Sequence, residues 1–304
     1  MSLFEREPQR RDPQKANSIL RVAQLSMLVC RRQLRSYSCD KSKHTYTQPQ
    51  LMSCLVLKAY LKQTYRGIVE VLELSDALRE ALGLGDNVPT HTTLKMFADR
   101  VASVELMDQI VGEVLALCKK AGVSVAELAG DSTGVECSPA SQQYLLRTGR
   151  KRARYVKLSL VVACVSMLAV SAVASMGPTH DLAEAPALLW RASGRCSPHS
   201  VYLDSAYDAE KIHRFCREGW GVAASGHGVA SFIPPFARGG HGVIASEYRS
   251  KMAKGLPRSY GRRWHVESFI SALKRVTLPF VRARLEPAML REAMLNVLAY
   301  AIHR

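Results

Sequence analysis

The sequence predicts a mixed α/β protein in which an all-helical N-terminal domain precedes a mixed sheet flanked by helices. Apolar residues recur at helical spacing between residues 47 and 120. Beyond Gly122, short apolar runs alternate with amphipathic segments, which is typical of α/β folds. An uncharged run at 158–177 is rich in β-branched and small residues, which indicates buried strands.

Residues 1–45 predict a basic, partly flexible arm. They hold ten Lys or Arg against four Asp or Glu and show no sustained apolar period. Charge runs of this kind are solvated tails or interaction segments that bind nucleic acid. Both readings of the arm, a solvated tail and a DNA contact, stay open.

Residues 46–122 predict a helical domain. The expected helices are one capped by Thr47 with Pro49 in its first turn, one at 65–74, one at 75–85, and a long one from Thr90 through Lys120. Short helices joined by tight polar turns are compatible with a helix-turn-helix-like DNA reader and equally with a plain helical bundle.

Residues 123–304 predict the sheet and its helices. The uncharged run is interpreted as two strands that turn near Ser166, and not as a membrane helix, because four serines interrupt it. The other expected elements are strands in VSVAELAGD, SVYLDS and WGVAAS, helices in DLAEAPALLWRA and DAEKIHRFCREG, and closing helices at 259–275 and 286–303.

The chain carries 42 Lys plus Arg against 26 Asp plus Glu, a formal net charge of +16. Such an excess favours polyanion partners, because neutralised phosphates release counterions; an anionic membrane surface is the competing partner. The eight cysteines include no C-x-x-C pair, which disfavours a zinc finger and fits a reducing cytoplasm. The N-terminus lacks the apolar core of a secretory signal. We therefore expect a cytoplasmic, nucleoid-associated protein.

Three carboxylates are candidates for one site. Asp131 and Asp204 each follow a predicted strand, and ligands of α/β sheets gather outside strand ends. Glu267 is the sole acid between Glu247 and Glu286 and has Arg and Lys neighbours. Clustered carboxylates raise one another's pKa, and a pair of Mg²⁺ ions resolves their repulsion.

Each acid also has a simpler interpretation. Asp131 in DSTG is a possible turn residue, and Asp204 a possible loop acid. Asp181 and Asp208 lie nearby and are predicted to be helix N-caps, outside the site.

Tyr260, Arg263, Glu267 and Lys274 spell Y-x2-R-x3-E-x6-K. This motif resembles the signature of DDE transposases from bacterial insertion sequences. AGDSTGVE resembles the strand of that family's first acid, and VYLDSAYDAEKI resembles the strand and helix of its second. The helical region from about residue 45 resembles the family's N-terminal domain, so the likeness extends to the C-terminus.

The resemblance implies an RNase H-like catalytic domain in which Asp131, Asp204 and Glu267 hold two Mg²⁺ or Mn²⁺ ions. It also implies that Tyr260, Arg263 and Lys274 contact DNA near the cut. The basic loop LRTGRKRARYVK adds Arg150, Lys151 and Arg152 as candidate DNA contacts.

Helical geometry is consistent with these roles. At about 100° per residue, the four signature residues fall within an arc of about 60° beside an apolar stripe. An i,i+4 ion pair between Arg263 and Glu267 is the alternative, but it leaves Asp131 and Asp204 unexplained.

The resemblance implies a DNA transposase that binds terminal inverted repeats, hydrolyses a phosphodiester at each element end, and transfers the freed strand to target DNA. Joining two ends requires a homodimer or a larger assembly. Two alternatives remain: a related RNase H-like nuclease without strand transfer, and a non-catalytic DNA-binding derivative.

Overall fold

A computed structural model of the protein describes residues 17–41, 43–137, 147, 155–222, 226–236, 244 and 246–304. In these residues the chain forms a five-stranded mixed sheet with helices on both faces. The predicted mixed α/β fold class is therefore confirmed. The division into three domains stays a prediction.

The N-terminal part is helical. Its helices are α1 (Ser18–Gln33), α2 (Gln48–Tyr60), α3 (Tyr65–Glu73), α4 (Asp76–Ala81), α5 (His91–Arg100) and α6 (Val104–Lys120). Thr47 caps α2 as predicted, through a capping box with Gln50. The Gln50 backbone amide donates to Thr47 Oγ1 at 3.3 Å, and the Thr47 backbone amide donates to Gln50 Oε1 at 2.8 Å.

Two predictions for this part are wrong. Residues 18–33, placed in the flexible arm, form α1, whose buried side chains include Val22, Met27 and Cys30. Residues 1–16 of the arm lie outside the described residues. The single helix expected from Thr90 through Lys120 is two helices, because Ser103 caps α6 with a side-chain bond to the Leu106 amide.

The sheet contains β1 (Glu127–Glu136), β2 (Tyr155–Ala163), β3 (Ala169–Met176), β4 (Ser200–Leu203) and β5 (Ala230–Phe232). The spatial order is β3-β2-β1-β4-β5, with β1 in the centre. β1 pairs antiparallel with β2 and parallel with β4, and β4 pairs parallel with β5. The sheet is therefore mixed, with an antiparallel half (β3-β2-β1) and a parallel half (β1-β4-β5).

The uncharged run forms β2 and β3, as predicted. The turn between them contains no glycine, and Met167 adopts the left-handed backbone conformation at φ 54° that the turn requires. No helix in the described ranges is long and apolar enough to cross a membrane.

The remaining helices are α7 (Asp181–Ser193), α8 (Glu210–Arg214), α9 (Glu247–Ala253), α10 (Trp264–Val276) and α11 (Glu286–His303). The helix expected in DAEKIHRFCREG is present as α8, which continues directly as a π-helix at Phe215–Gly219. The strand expected in WGVAAS is wrong: residues 220 and 221 lie in a turn and 222 is helical, while 223–225 are outside the described residues. The fifth strand instead begins at Ala230.

The two faces of the sheet bury different cores. One face, with Leu158 and Leu160 of β2, packs against α10, α11 and the N-terminal helices in one continuous apolar cluster that extends from Val22 to Ile302. The other face, with Val161 of β2, packs against α7 and α8. The N-terminal helices therefore share a core with the sheet.

Candidate active site

Asp131 lies within the central strand β1. The predicted strand end at this residue is wrong, because β1 continues to Glu136 and stays paired with β2 as far as Tyr155. The preceding residue, Gly130, is required by packing, because a Cβ there would lie 2.5 Å from the Leu203 side chain of the neighbouring strand. The glycine thus allows β4 to approach β1 directly beside Asp131.

Asp204 follows the last residue of β4, as the sequence predicted. It caps a single 3-10 turn, Ser205–Tyr207, and accepts a hydrogen bond from the Ser205 hydroxyl at 3.2 Å. Gly130 of β1 is paired in parallel with Leu203 of β4. Asp131 and Asp204 are the next residues along the two strands, so they lie side by side where β4 ends.

Glu267 lies in the first turn of α10, and Arg263 joins it to Asp131. Arg263 Nη1 lies 3.1 Å from Asp131 Oδ2, and Nη2 forms an ion pair with Glu267. The Glu267 side chain is 52% exposed and that of Asp131 only 20%, so the pair spans from solvent to the sheet. The i,i+4 ion pair between Arg263 and Glu267, considered above as the alternative, is present, and Arg263 also pairs with Asp131 of the strand.

The signature is not one continuous helix. Tyr260 and Arg263 belong to a 3-10 segment, Arg258–Arg263, and α10 begins at Trp264. The arc at 100° per residue therefore applies to Glu267 and Lys274 alone. From this 3-10 segment the Arg263 guanidinium reaches Asp131 of β1.

Tyr260 and Lys274 fasten this segment to the sheet at two points. The Tyr260 hydroxyl donates to the Leu203 carbonyl at 3.1 Å, one residue before Asp204. Lys274 Nζ donates to Thr133 Oγ1 at 2.7 Å and to the Gly134 carbonyl at 2.9 Å, two and three residues after Asp131. Burial raises the pKa of Tyr260 to about 12 and lowers the pKa of Lys274.

The acids repel one another, and Arg263 offsets that repulsion. Burial raises the pKa of Asp131 most strongly, and the charges of Asp204 and Glu267 raise it further. The Ser132 amide and Arg263 act in the opposite direction. Burial acts to lower the pKa of Arg263, but the neighbouring carboxylates outweigh it and raise that pKa. The site thus carries excess negative charge that a cation stabilises.

A polar network beneath Asp131 was not foreseen. The Ser132 hydroxyl donates to Asp181 Oδ1 at 2.6 Å, and Lys157 Nζ lies 2.7 Å from the same oxygen. Lys157 Nζ also lies 3.1 Å from Glu184 Oε2, and the Lys157 and Glu184 side chains are both buried. The available signal was a single lysine in the otherwise apolar strand YVKLSLVVA.

The two predicted N-caps are wrong. Asp181 is the first residue inside α7 and belongs to the network with Lys157, while His180 precedes the helix without a side-chain cap bond. Asp208 is buried and binds Arg249 through both oxygens, and it accepts the Phe236 amide at 2.7 Å. In both cases a tertiary ion pair replaces the local cap.

Asp131, Asp204 and Glu267 do not form a preformed metal-binding site. In the part of the chain that the structure describes, no group of three or more His, Cys, Asp or Glu side chains is arranged to hold a metal ion. Arg263 lies between Asp131 and Glu267 instead. Arg150, Lys151 and Arg152 lie outside the described residues.

Comparison with known proteins identifies the catalytic region. The sequence model of the family described as "Transposase DDE domain" matches residues 127–302. No curated protein matches the chain. Among solved structures the chain is similar to "Cryo-EM structure of piggyBac transposase synaptic complex with hairpin DNA (SNHP)", with a TM-score of 0.41, 8% identity, and coverage of 95% of this chain and 72% of that chain.

Proposed function

Since this chain belongs to the family of transposase DDE domains and is a DNA transposase, we propose that Asp131, Asp204 and Glu267 are its catalytic acids. The observation that carries the proposal is the position of Arg263, which binds Asp131 132 residues away in sequence and Glu267 one helical turn away. One side chain thereby joins the central strand to the signature helix. Asp204 adjoins Asp131 on the neighbouring strand.

Transposases of this family depend on divalent metal ions. Our finer assignment is two Mg²⁺ or Mn²⁺ ions held by the three acids. Carboxylate oxygens are the ligands that these ions prefer. Burial is the main cause of the raised pKa of Asp131, and the charges of Asp204 and Glu267 add to it, so a bound cation would stabilise the ionised acids. Bound ions of this kind activate a nucleophile and stabilise the leaving oxygen of a phosphoryl displacement.

The protein's own cations have two tasks in this proposal. Arg263 balances the acids before metal binds and then turns its guanidinium to a DNA phosphate, which it can bind through two parallel hydrogen bonds. Lys274 holds α10 against β1 through Thr133 and offers its remaining N–H to the same strand of DNA. Tyr260 fixes the end of β4 and so the position of Asp204.

The reaction that follows from these roles has two steps. Water attacks a phosphodiester at each end of the element, and the bond to the 3′ oxygen breaks to leave a 3′-OH. That hydroxyl then attacks a phosphodiester of double-stranded target DNA, and the target strand's 3′ oxygen leaves. The N-terminal helices and the basic arm bind the terminal inverted repeats. At least two chains hold the two ends together.

The test is cleavage of the element's own flanking ends in Mg²⁺, with Asp204→Asn compared with Asp86→Asn, an exposed acid in the loop before α5. Loss of several kcal/mol of transition-state stabilisation predicts about a thousandfold slower nicking for Asp204→Asn. The Asp86 variant should match the wild type. Full nicking by Asp204→Asn would refute the assignment, and nicking without transfer of a pre-cut end to a plasmid would indicate a nuclease.

A further inference from the structure

Three exposed cations outside the acid site form a continuous surface. Lys62 follows the end of α2, Arg275 lies in the last turn of α10, and Arg282 lies in the loop between α10 and α11. Lys62 Nζ donates to the Arg275 carbonyl at 2.9 Å, and Arg282 Nη1 donates to the Lys62 carbonyl at 3.2 Å. We call this set (Lys62, Arg275 and Arg282) the basic ridge.

The positive charges of the ridge are not neutralised by ion pairs with other described residues. Among the described residues, none of its three side chains forms an ion pair with a carboxylate. The carboxylate of Glu292 accepts hydrogen bonds from the backbone amides of Arg282 and Ala283, at 3.2 and 2.8 Å. Glu292 therefore shapes the loop that presents Arg282. Three like charges tied together by main-chain carbonyls repel one another, and a polyanion relieves that cost.

The ridge lies further along α10 than the acid site. Lys274, which contacts β1 beside Asp131, is the residue before Arg275 on α10. Eight residues separate Glu267 from Arg275, which at 1.5 Å per residue is about 12 Å along the helix. Because a duplex advances about 3.4 Å per base pair, a strand held at the acids reaches the ridge after about three to four base pairs.

We propose that the basic ridge binds the phosphate backbone of the DNA duplex that flanks the cleaved phosphodiester. This proposal rests on the proposed function, and it adds the track along which DNA leaves the acids. Lys62 belongs to the N-terminal helices and Arg275 to the catalytic region, so the track passes over the junction of the two parts. Its contacts are to phosphates, and it carries no base sequence preference.

The experiment measures equilibrium binding of a fluorescent 30-base-pair duplex of random sequence, with EDTA present, over a range of salt concentrations. The variant is Lys62→Gln/Arg275→Gln/Arg282→Gln, because glutamine keeps a donor and removes the charge. The control is Lys120→Gln/Lys211→Gln/Arg214→Gln, three exposed cations on α6 and α8 that lower the net charge equally.

Each lost phosphate contact lowers the slope of log K against log salt by about 0.9, so the ridge variant should lose about two to three in slope and on the order of tenfold in affinity at low salt. The control should retain the wild-type slope. An unchanged slope for the ridge variant, or an equal loss in the control, would overturn the proposal.

Effects of the substitutions on folding and on catalysis are measured separately from DNA binding. Equal melting temperatures of the three proteins establish that the ridge variant is folded. Binding without metal needs no cleavage, so a failed ridge and a failed acid assignment give different results. The ridge variant should also bind single-stranded DNA with a smaller change in slope, since the track follows a duplex.

Discussion

Arg263 donates to Asp131 at 3.1 Å between Nη1 and Oδ2, and this bond connects the signature segment to the centre of the sheet. The guanidinium lies between Asp131 and Glu267, two of the acids that we propose to hold divalent ions. On this proposal, a cation of the protein and a cation from solution would compete for the same carboxylate oxygens.

Arg263→Gln should bind Mn²⁺ more tightly than the wild type by several-fold, because glutamine brings no charge to compete. Without metal, the same variant should unfold with a free energy lower by about 1 kcal/mol, since the acids lose their balancing cation. Mn²⁺ binding followed by calorimetry measures the first effect, and urea unfolding in EDTA measures the second.

Arg262→Gln is the control for that pair of measurements. Arg262 is the preceding residue and pairs with Glu127 at the start of β1. Its substitution should leave Mn²⁺ affinity unchanged. Weaker Mn²⁺ binding by Arg263→Gln would show that Arg263 supports the metal site and does not compete with it.

Tyr260→Phe removes the hydrogen bond to the Leu203 carbonyl and keeps the ring, which packs edge-on against Tyr202 at 6.5 Å between centroids. We expect a loss of about 1 kcal/mol in unfolding free energy. Cleavage should slow by more than that loss of stability explains, because the freed carbonyl adjoins Asp204. Tyr37→Phe, in the loop after α1, should leave both quantities unchanged.

Lys157→Met leaves Asp181 and Glu184 as partly or fully buried charges without their cation. Breaking a buried pair costs about 3–5 kcal/mol, so the melting temperature should fall strongly. Adding Asp181→Asn and Glu184→Gln to the same chain should restore part of the stability, because neutral amides are cheaper to bury. Lys211→Met on α8 provides an exposed lysine for comparison, and equal destabilisation by both single variants would contradict the prediction.

His213 predicts a pH dependence of stability. Its side chain is fully buried, its Nδ1 lies 2.8 Å from the Ser231 hydroxyl, and burial first and Arg217 second lower its pKa to about 4. Between about pH 4 and pH 6.5, His213 is therefore protonated in the unfolded chain, where its pKa is near 6.5, and neutral in the folded protein. Stability from this residue is complete above about pH 6.5 and is lost as the pH falls towards about 4.

The size of the His213 effect should be about 3 kcal/mol between pH 7 and pH 4. Urea unfolding of His213→Gln over this range should show a flatter pH profile than the wild type. The comparison between the two proteins removes the contribution of the carboxylates that titrate near pH 4. Parallel profiles would assign the pH dependence to other groups.

Asp131 and Asp204 could be predicted from the sequence because each follows a short apolar run that is typical of a buried strand. The prediction misplaced Asp131 because Ser132, Gly134 and Glu136 interrupt the apolar pattern and are poor strand formers, although Thr133 and Val135 favour strands. Their strand conformation is imposed by pairing with β2, which is a tertiary effect. The break between α5 and α6 was missed for a related reason, since Ser103 is one cap within a longer apolar period.

The cations were harder to predict than the acids. Arg263 and Lys274 were identified by their spacing in the signature, but their partners on β1 lie more than a hundred residues away. Lys157 gave only the weak signal of a charge within an apolar strand, and its two acids come from α7. Long side chains reach across elements, so their contacts depend on packing that no local pattern encodes.

The apolar cluster from Val22 to Ile302 has a mechanical consequence. Because α1, α2 and α6 bury their side chains in the same core as α11 and one face of the sheet, hinge motion between the N-terminal helices and the acids would expose that core to water. If those helices bind DNA and Asp131 is catalytic, as we propose, the distance between the bound DNA and the cleaved phosphodiester is fixed within one chain. Rearrangement between cutting and joining would then occur in the DNA and between subunits.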